Sequence, residues 1–136
     1  MDYHQTDPEF MERLEHFANK EVVEEPGQQL DEPTRYLAIL ATLIGCQGLA
    51  VYRQILPAAL DAGLTPVMVK ETVYQAVDYL GIGRVLPFLD ITNELFSARG
   101  IALPLEGQAT TTMENRLGKG VQAQAASFGD HMKGAW

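Results

Sequence analysis

Few side chains in this sequence have the chemistry of a nucleophile, a metal ligand or a general base. There is one cysteine, Cys46, and there are three histidines, His4, His16 and His131. A lone thiolate has no second thiol in the same chain to resolve it, so an internal disulfide cycle is excluded. Cys46 is expected to be a small, inert, partly buried residue, and the histidines, all on terminal segments, to lie at the surface. What polar chemistry remains near the apolar middle of the chain is Tyr36, then Tyr52 and Arg53, then Gln75, Asp78 and Tyr79. Asp78 stands among Ala76, Val77, Leu80 and Ile82 near a helix C-terminus, where the helix dipole disfavours a carboxylate. Buried there, it must pair with Arg84 or Arg53, or carry a raised pKa. Asp78 and Arg53 are therefore candidates for polar, catalytic chemistry in a pocket. Tyr36, Cys46, Tyr52, Gln75 and Tyr79 are candidates for the pocket wall, although a core tyrosine with one satisfied hydroxyl is the plainer reading of each ring. No metal and no cofactor is expected, and Gly81-Ile82-Gly83 reads as a turn between helices rather than a phosphate loop.

The elements that would hold these groups centre on Leu30–Gly63. From Tyr36 to Ile44 only Thr42 and the tyrosine hydroxyl are polar, so this helix has no face to give to water. It is expected to be the central helix of the fold, or to lie in an oligomer interface. Asp31 is placed to cap it, with Pro33 in its first turn. Gly45-Cys46-Gln47-Gly48 breaks the pattern, and a second helix runs from Leu49 to Ala62, with a kink expected at Pro57. Any pocket is expected where these two helices meet.

Before this pair, Asp7-Pro8 signals a helix start, and Phe10, Leu14 and Phe17 recur at helical spacing until Pro26-Gly27. After it, Thr65-Pro66 opens a helix through Leu80, and another follows from about Arg84 to Arg99, with Pro87 tolerated in its first turn. Ile101–Gln108 reads as an extended linker. Thr111-Thr112-Met113-Glu114 is a capping-box pattern opening a last helix, with Met113, Leu117, Val121, Ala125 and Phe128 on one face. No strand signal is present, and the expected class is all-α with about six helices.

At 136 residues, 46% hydrophobic and 21% charged, the composition is that of one ordinary globular domain. The formal charge of −8 argues against a nucleic-acid partner, because neutralising phosphates needs a basic surface. Ten of the acids fall within residues 1–36, so the first helix carries most of the excess, read as a solvated face. With no signal-peptide pattern and no apolar run of about 18 residues, the expected location is the cytoplasm and no membrane partner is implied.

The ordered stretches LDEPTR (Leu30–Arg35), AALDAG (Ala58–Gly63), Thr65–Tyr79 and NELFSARG (Asn93–Gly100) resemble the carboxymuconolactone decarboxylase family, which shares its fold with alkylhydroperoxidase D-like proteins. The resemblance covers roughly residues 8–101 and implies an oligomeric helical bundle, a trimer or hexamer. It divides the chain into a helical domain (1–101), a linker (102–110) and a C-terminal helix (111–136). RLGKG (Arg116–Gly120) with Phe128-Gly129-Asp130 looks like the opening helix of such a domain, standing in inverted order. Either the domain is permuted or the chain is the front of a tandem protein, and in both cases the last helix needs an apolar groove, which a swapped oligomer would supply.

The peroxidase-like branch of the family uses a glutamate, a CxxC pair and a histidine, and the resemblance places these on Tyr36, Gly48, Val51 and Ile55. None of the four has the needed group. In the decarboxylase branch a histidine falls on Ile55 and a glutamate on Glu21, and only Glu21 is kept. Three functions follow: a decarboxylase-like lyase acting on a small carboxylated lactone from aromatic degradation through Glu21, Asp78 and Arg53; a non-catalytic oligomeric module that binds a small-molecule ligand; and a thiol peroxidase, which the missing CxxC disfavours.

Overall fold

The computed structural model describes residues 2–27 and 30–134, and every regular element among the described residues is a helix. None of these helices is long and apolar enough to cross a membrane. The chain divides into two compact units, Met1–Leu103 and Pro104–Trp136.

The first unit opens with a short helix α1 (Tyr3–Thr6), followed by α2 (Pro8–His16), a π-helical turn (Phe17–Glu21) and α3 (Val22–Glu24). Asp7 precedes Pro8 as expected but makes no side-chain capping bond; Asp2 does so instead, accepting from the His4 amide at 3.0 Å. No residue of this arm is buried, and Phe10, Leu14 and Phe17 all face water.

Five helices then form the bundle: α4 (Glu32–Gly45), α5 (Leu49–Asp61), α6 (Pro66–Gln75), α7 (Val77–Leu80) and α8 (Ile82–Ala98). Asp31 caps α4, accepting from the Thr34 amide at 2.7 Å, and those bonds hold its carboxyl below the usual aspartate value. Thr65 does the same for α6, accepting from the Met68 amide at 3.2 Å. The α4–α5 turn is tight. Gln47 takes a left-handed φ of 62°, and a Cβ on Gly48 would sit 3.0 Å from Leu43 Cδ2.

Helix α5 runs through Pro57, as expected of a helix from Leu49 to Ala62. Two boundaries differ from expectation. The helix expected from Thr65 to Leu80 is interrupted at Ala76, whose ψ opens to −19°. Helix α8 starts at Ile82, which puts Pro87 in its second turn rather than its first.

The core lies between α5 and α8, closed by α4 and α6. Tyr52 is fully buried and stands edge-on to Phe88, with ring centroids 5.1 Å apart at 87°. Its hydroxyl meets Thr92 Oγ1 at 2.8 Å, and because Thr92 Oγ1 donates to the Phe88 carbonyl at 2.8 Å, Tyr52 is the donor of the pair. Leu40, Ile44, Leu56, Val69 and Val73 complete the packing. Lys70 buries its stem and gives its ammonium to Asn93 Oδ1, with the Tyr74 ring 5.6 Å away. At the open end, Arg99 of the α8 C-cap reaches Asp61 at 2.6 and 3.2 Å and the Pro57 carbonyl at 3.2 Å, tying α8 to the end of α5.

The expectation that α4 has no face for water is corrected. Only Leu40 and Ile44 are fully covered, while Ala38, Ala41 and Thr42 are exposed, because the bundle packs against one side of this helix.

In the second unit, α9 spans Arg116–Phe128 and is followed by a 3-10 turn, Asp130–Gly134. The helix begins at Arg116 rather than at Met113, because Asn115 Oδ1 accepts from the Thr112 amide at 2.8 Å and holds the preceding residues in a turn. Ala125 is buried, whereas Met113, Leu117 and Phe128 stay exposed.

Candidate functional site

Helix α4 turns a stripe at the 3.6 spacing, Leu37, Ala41 and Ile44, toward α6 and α7, which answer with Thr72, Gln75, Ala76 and Tyr79. Between them lies a cleft of about 400 Å³, in the size range of small-ligand sites. Its walls are mostly apolar. The Thr72 hydroxyl is engaged with the Met68 carbonyl at 2.8 Å, and Gln75 Nε2 stands 3.5 Å from Glu71 Oε2, a long contact that leaves its carboxamide nearly free. Tyr79, 88% exposed, stands at the mouth. The cleft thus offers a ring-sized apolar slot with an amide and a phenol at its edge, and no carboxylate or cation lines it.

Of the residues singled out for the pocket, Gln75 and Tyr79 meet here, and Gly45, beside Cys46, touches the same cleft. The others do not join them. Tyr36 is half-buried on α4 with the Arg35 guanidinium 4.9 Å from its ring centre. Tyr52 is a core residue whose burial pushes its phenol above the usual tyrosine value, and its hydroxyl is bonded to Thr92. Tyr79 departs from the core reading altogether. Cys46, expected to be partly buried, is exposed, because α4 ends at Gly45 and the turn carries the thiol outward; its Sγ lies 3.7 Å from the Leu43 carbonyl.

The three candidate catalytic residues occupy three separate places. Asp78 is exposed rather than buried, so it needs no buried partner; the break at Ala76 turns it out of the apolar wall. Arg53 pairs with Glu94 at 2.7 Å rather than with Asp78, at the edge of a shallow groove shared with Asp90 and Pro87. Glu21 sits on the arm, where its Oε1 meets His16 Nδ1 at 2.9 Å across the π-helical turn. The π-turn brings residues five apart into register, which ordinary helical spacing does not.

Sequence reasoning placed the pocket where α4 and α5 meet, and missed Leu37, Ala41, Thr72 and Ala76 as cleft residues. The α5-facing side of α4 carries core packing instead. The signal that could have found the cleft is the small residue Ala41 one turn from Leu37, opposite another small residue, Ala76, in a segment already carrying Gln75 and Tyr79.

Fold and site together define an all-helical bundle with a small apolar cleft beside its central helix. Residues 8–94 match the model of the carboxymuconolactone decarboxylase family. The match covers more than half of the chain, from α2 into α8, and the chain belongs to that family. No curated protein and no solved structure matches it. At the four positions to which the resemblance assigned the peroxidase groups, the bundle carries Tyr36, Gly48, Val51 and Ile55, with neither thiol nor imidazole among them.

Proposed function

We propose that this member of the carboxymuconolactone decarboxylase family is a small-molecule-binding protein whose α4/α6/α7 cleft takes a neutral, flat, largely apolar ligand. The observation that carries this reading is the lining of the cleft, where Gln75 and Tyr79 supply hydrogen bonds and no charged group is present to meet a carboxylate. A ligand of one ring and one or two hydroxyl or carbonyl groups fits that chemistry, since polar groups at the mouth orient it and apolar walls supply the binding energy. Glu21, Asp78 and Arg53, the groups a decarboxylase would use, lie outside the cleft lining. The family match supports a second reading, lyase activity on a small carboxylated lactone. Both readings take the protein to act in the cytoplasm as a homo-oligomer.

Thermal unfolding in the presence of a hydroxylated aromatic panel and of a carboxylated lactone separates them. Binding at 100 times the dissociation constant stabilises by about 2.7 kcal/mol. A neutral aromatic is expected to raise Tm, the carboxylated lactone is not, and Ala41→Phe, which fills the cleft, abolishes the rise. Release of carbon dioxide from the lactone by the unaltered protein, lost in Asp78→Asn, would overturn the binding reading in favour of the lyase.

A further inference from the structure

Two amphipathic helices of this chain show their apolar stripes to water. On the arm, Phe10, Leu14 and Phe17 are 64%, 45% and 56% exposed; on α9, Leu117 and Phe128 are 71% and 69% exposed. A helix of this length gains little from backbone bonding alone, so each needs a surface to lie on. Their charges are opposite. Residues 2–27 hold eight acids against Arg13 and Lys20, a net charge of −6. Helix α9 holds Arg116 and Lys119 and no acid. Both cations stand at the start of the helix, where the dipole repels positive charge, and neither has an ion-pair partner among the described residues.

Along the α9 stripe, Leu117, Gly120, Val121 and Gln124 line a groove of about 490 Å³, with Arg116 at its edge. Gly120 leaves room for a second helix to come close. Gln124 Oε1 is buried with no hydrogen-bond partner among the described residues, and Lys20 on the arm is a cation with no ion-pair partner among them.

We infer that two copies of the chain associate by laying the acidic arm of each against α9 of the other. Arm against arm is opposed by like charge, and so is α9 against α9, whereas arm against α9 joins opposite charges over complementary stripes. The lengths are compatible. Phe10 to Phe17 spans about 10 Å and Leu117 to Phe128 about 16 Å at the helical rise of 1.5 Å per residue. Reciprocal exchange uses both contacts twice and closes on a two-fold axis, leaving no stripe open to a further copy. The inference is independent of what the cleft binds.

The test uses full-length chains and solution mass. The unaltered protein is expected at twice its 15.0 kDa. One variant, Glu9→Lys, Glu12→Lys, Glu15→Lys and Glu24→Lys, turns the arm basic; the other, Arg116→Glu and Lys119→Glu, turns α9 acidic. Each alone is expected to fall to single-copy mass. Mixed one to one, they present a basic arm to an acidic α9 and an acidic arm to a basic α9, and the paired mass is expected to return. Helix content by circular dichroism follows the same samples, and helix lost in either variant returns in the mixture. Single-copy mass for the unaltered chain, paired mass retained by each variant alone, or a mixture that does not reassociate would each overturn the inference.

Discussion

The bundle and the arm are built from similar helices and hold their side chains in opposite ways. In the bundle, Tyr52 is wholly buried, touches Phe88 and donates a hydrogen bond to Thr92. On the arm, Phe10, Leu14 and Phe17 follow the same helical spacing and touch no core. Periodicity alone does not distinguish a stripe that is buried from a stripe that is offered. The arm's polar groups pair locally instead, Glu9 with Arg13 at 2.6 Å, Glu15 with His4 at 3.1 Å and Glu21 with His16 at 2.9 Å. Such exposed pairs add little to stability, so they do not by themselves fix the arm.

The sharpest way to test this contrast is to truncate one ring from each region. Phe88→Ala is expected to cost about 3–5 kcal/mol in urea unfolding, since it opens a cavity against Tyr52. Phe17→Ala, measured at concentrations that hold the chain as single copies, is expected to stay within about 0.5 kcal/mol. Equal losses would show that the arm belongs to the bundle's cooperative unit.

A smaller effect concerns the one buried phenol. Tyr52→Phe removes a donor but leaves Thr92 bonded to the Phe88 carbonyl, for a loss of about 1 kcal/mol. Burial raises the Tyr52 pKa above its ordinary 10.0, so the folded state resists ionisation. Its contribution is therefore complete below pH 10 and is lost as pH rises beyond that value. Stability measured from pH 9 to 12 should decline more gently in the Phe variant; identical alkaline slopes would count against a buried, proton-donating Tyr52.

The least effect is at the surface tie between α5 and α8. The Arg99 hydrogen bond holds the Asp61 carboxyl below its ordinary 3.8. The stability it brings is present above that pH and is lost as pH falls through the lowered folded value. Asp61→Asn should flatten the acid limb of the unfolding curve below pH 4 and change nothing at pH 7 beyond the loss of an exposed pair. An unchanged acid limb would mean that Arg99 contributes there only through the Pro57 carbonyl.

Much of the fold is legible from local signals. Asp31 and Thr65 cap the helices they precede, Gly63, Gly81, Gly100 and Gly129 take positive φ at helix ends, and Ile101–Gln108 carries no helix. These are near-neighbour effects, settled by a side chain and the next few amides. The site was less legible. Asp78 looked buried because its neighbours are apolar, yet the interruption at Ala76, two positions before it, rotates it outward. Cys46 looked shielded by an apolar helix that in fact ends just before it.

The sequence by itself determined the class of the protein, the caps of α4 and α6 and its family, because spacing, capping chemistry and ordered motifs are properties of short stretches. Only the tertiary structure decided that Tyr52 is core and Tyr79 is surface, that Arg53 belongs to Glu94, and that the cleft opens between α4 and α6–α7. Those choices depend on which faces of the helices meet, and a helical period specifies a face without naming the surface it will find.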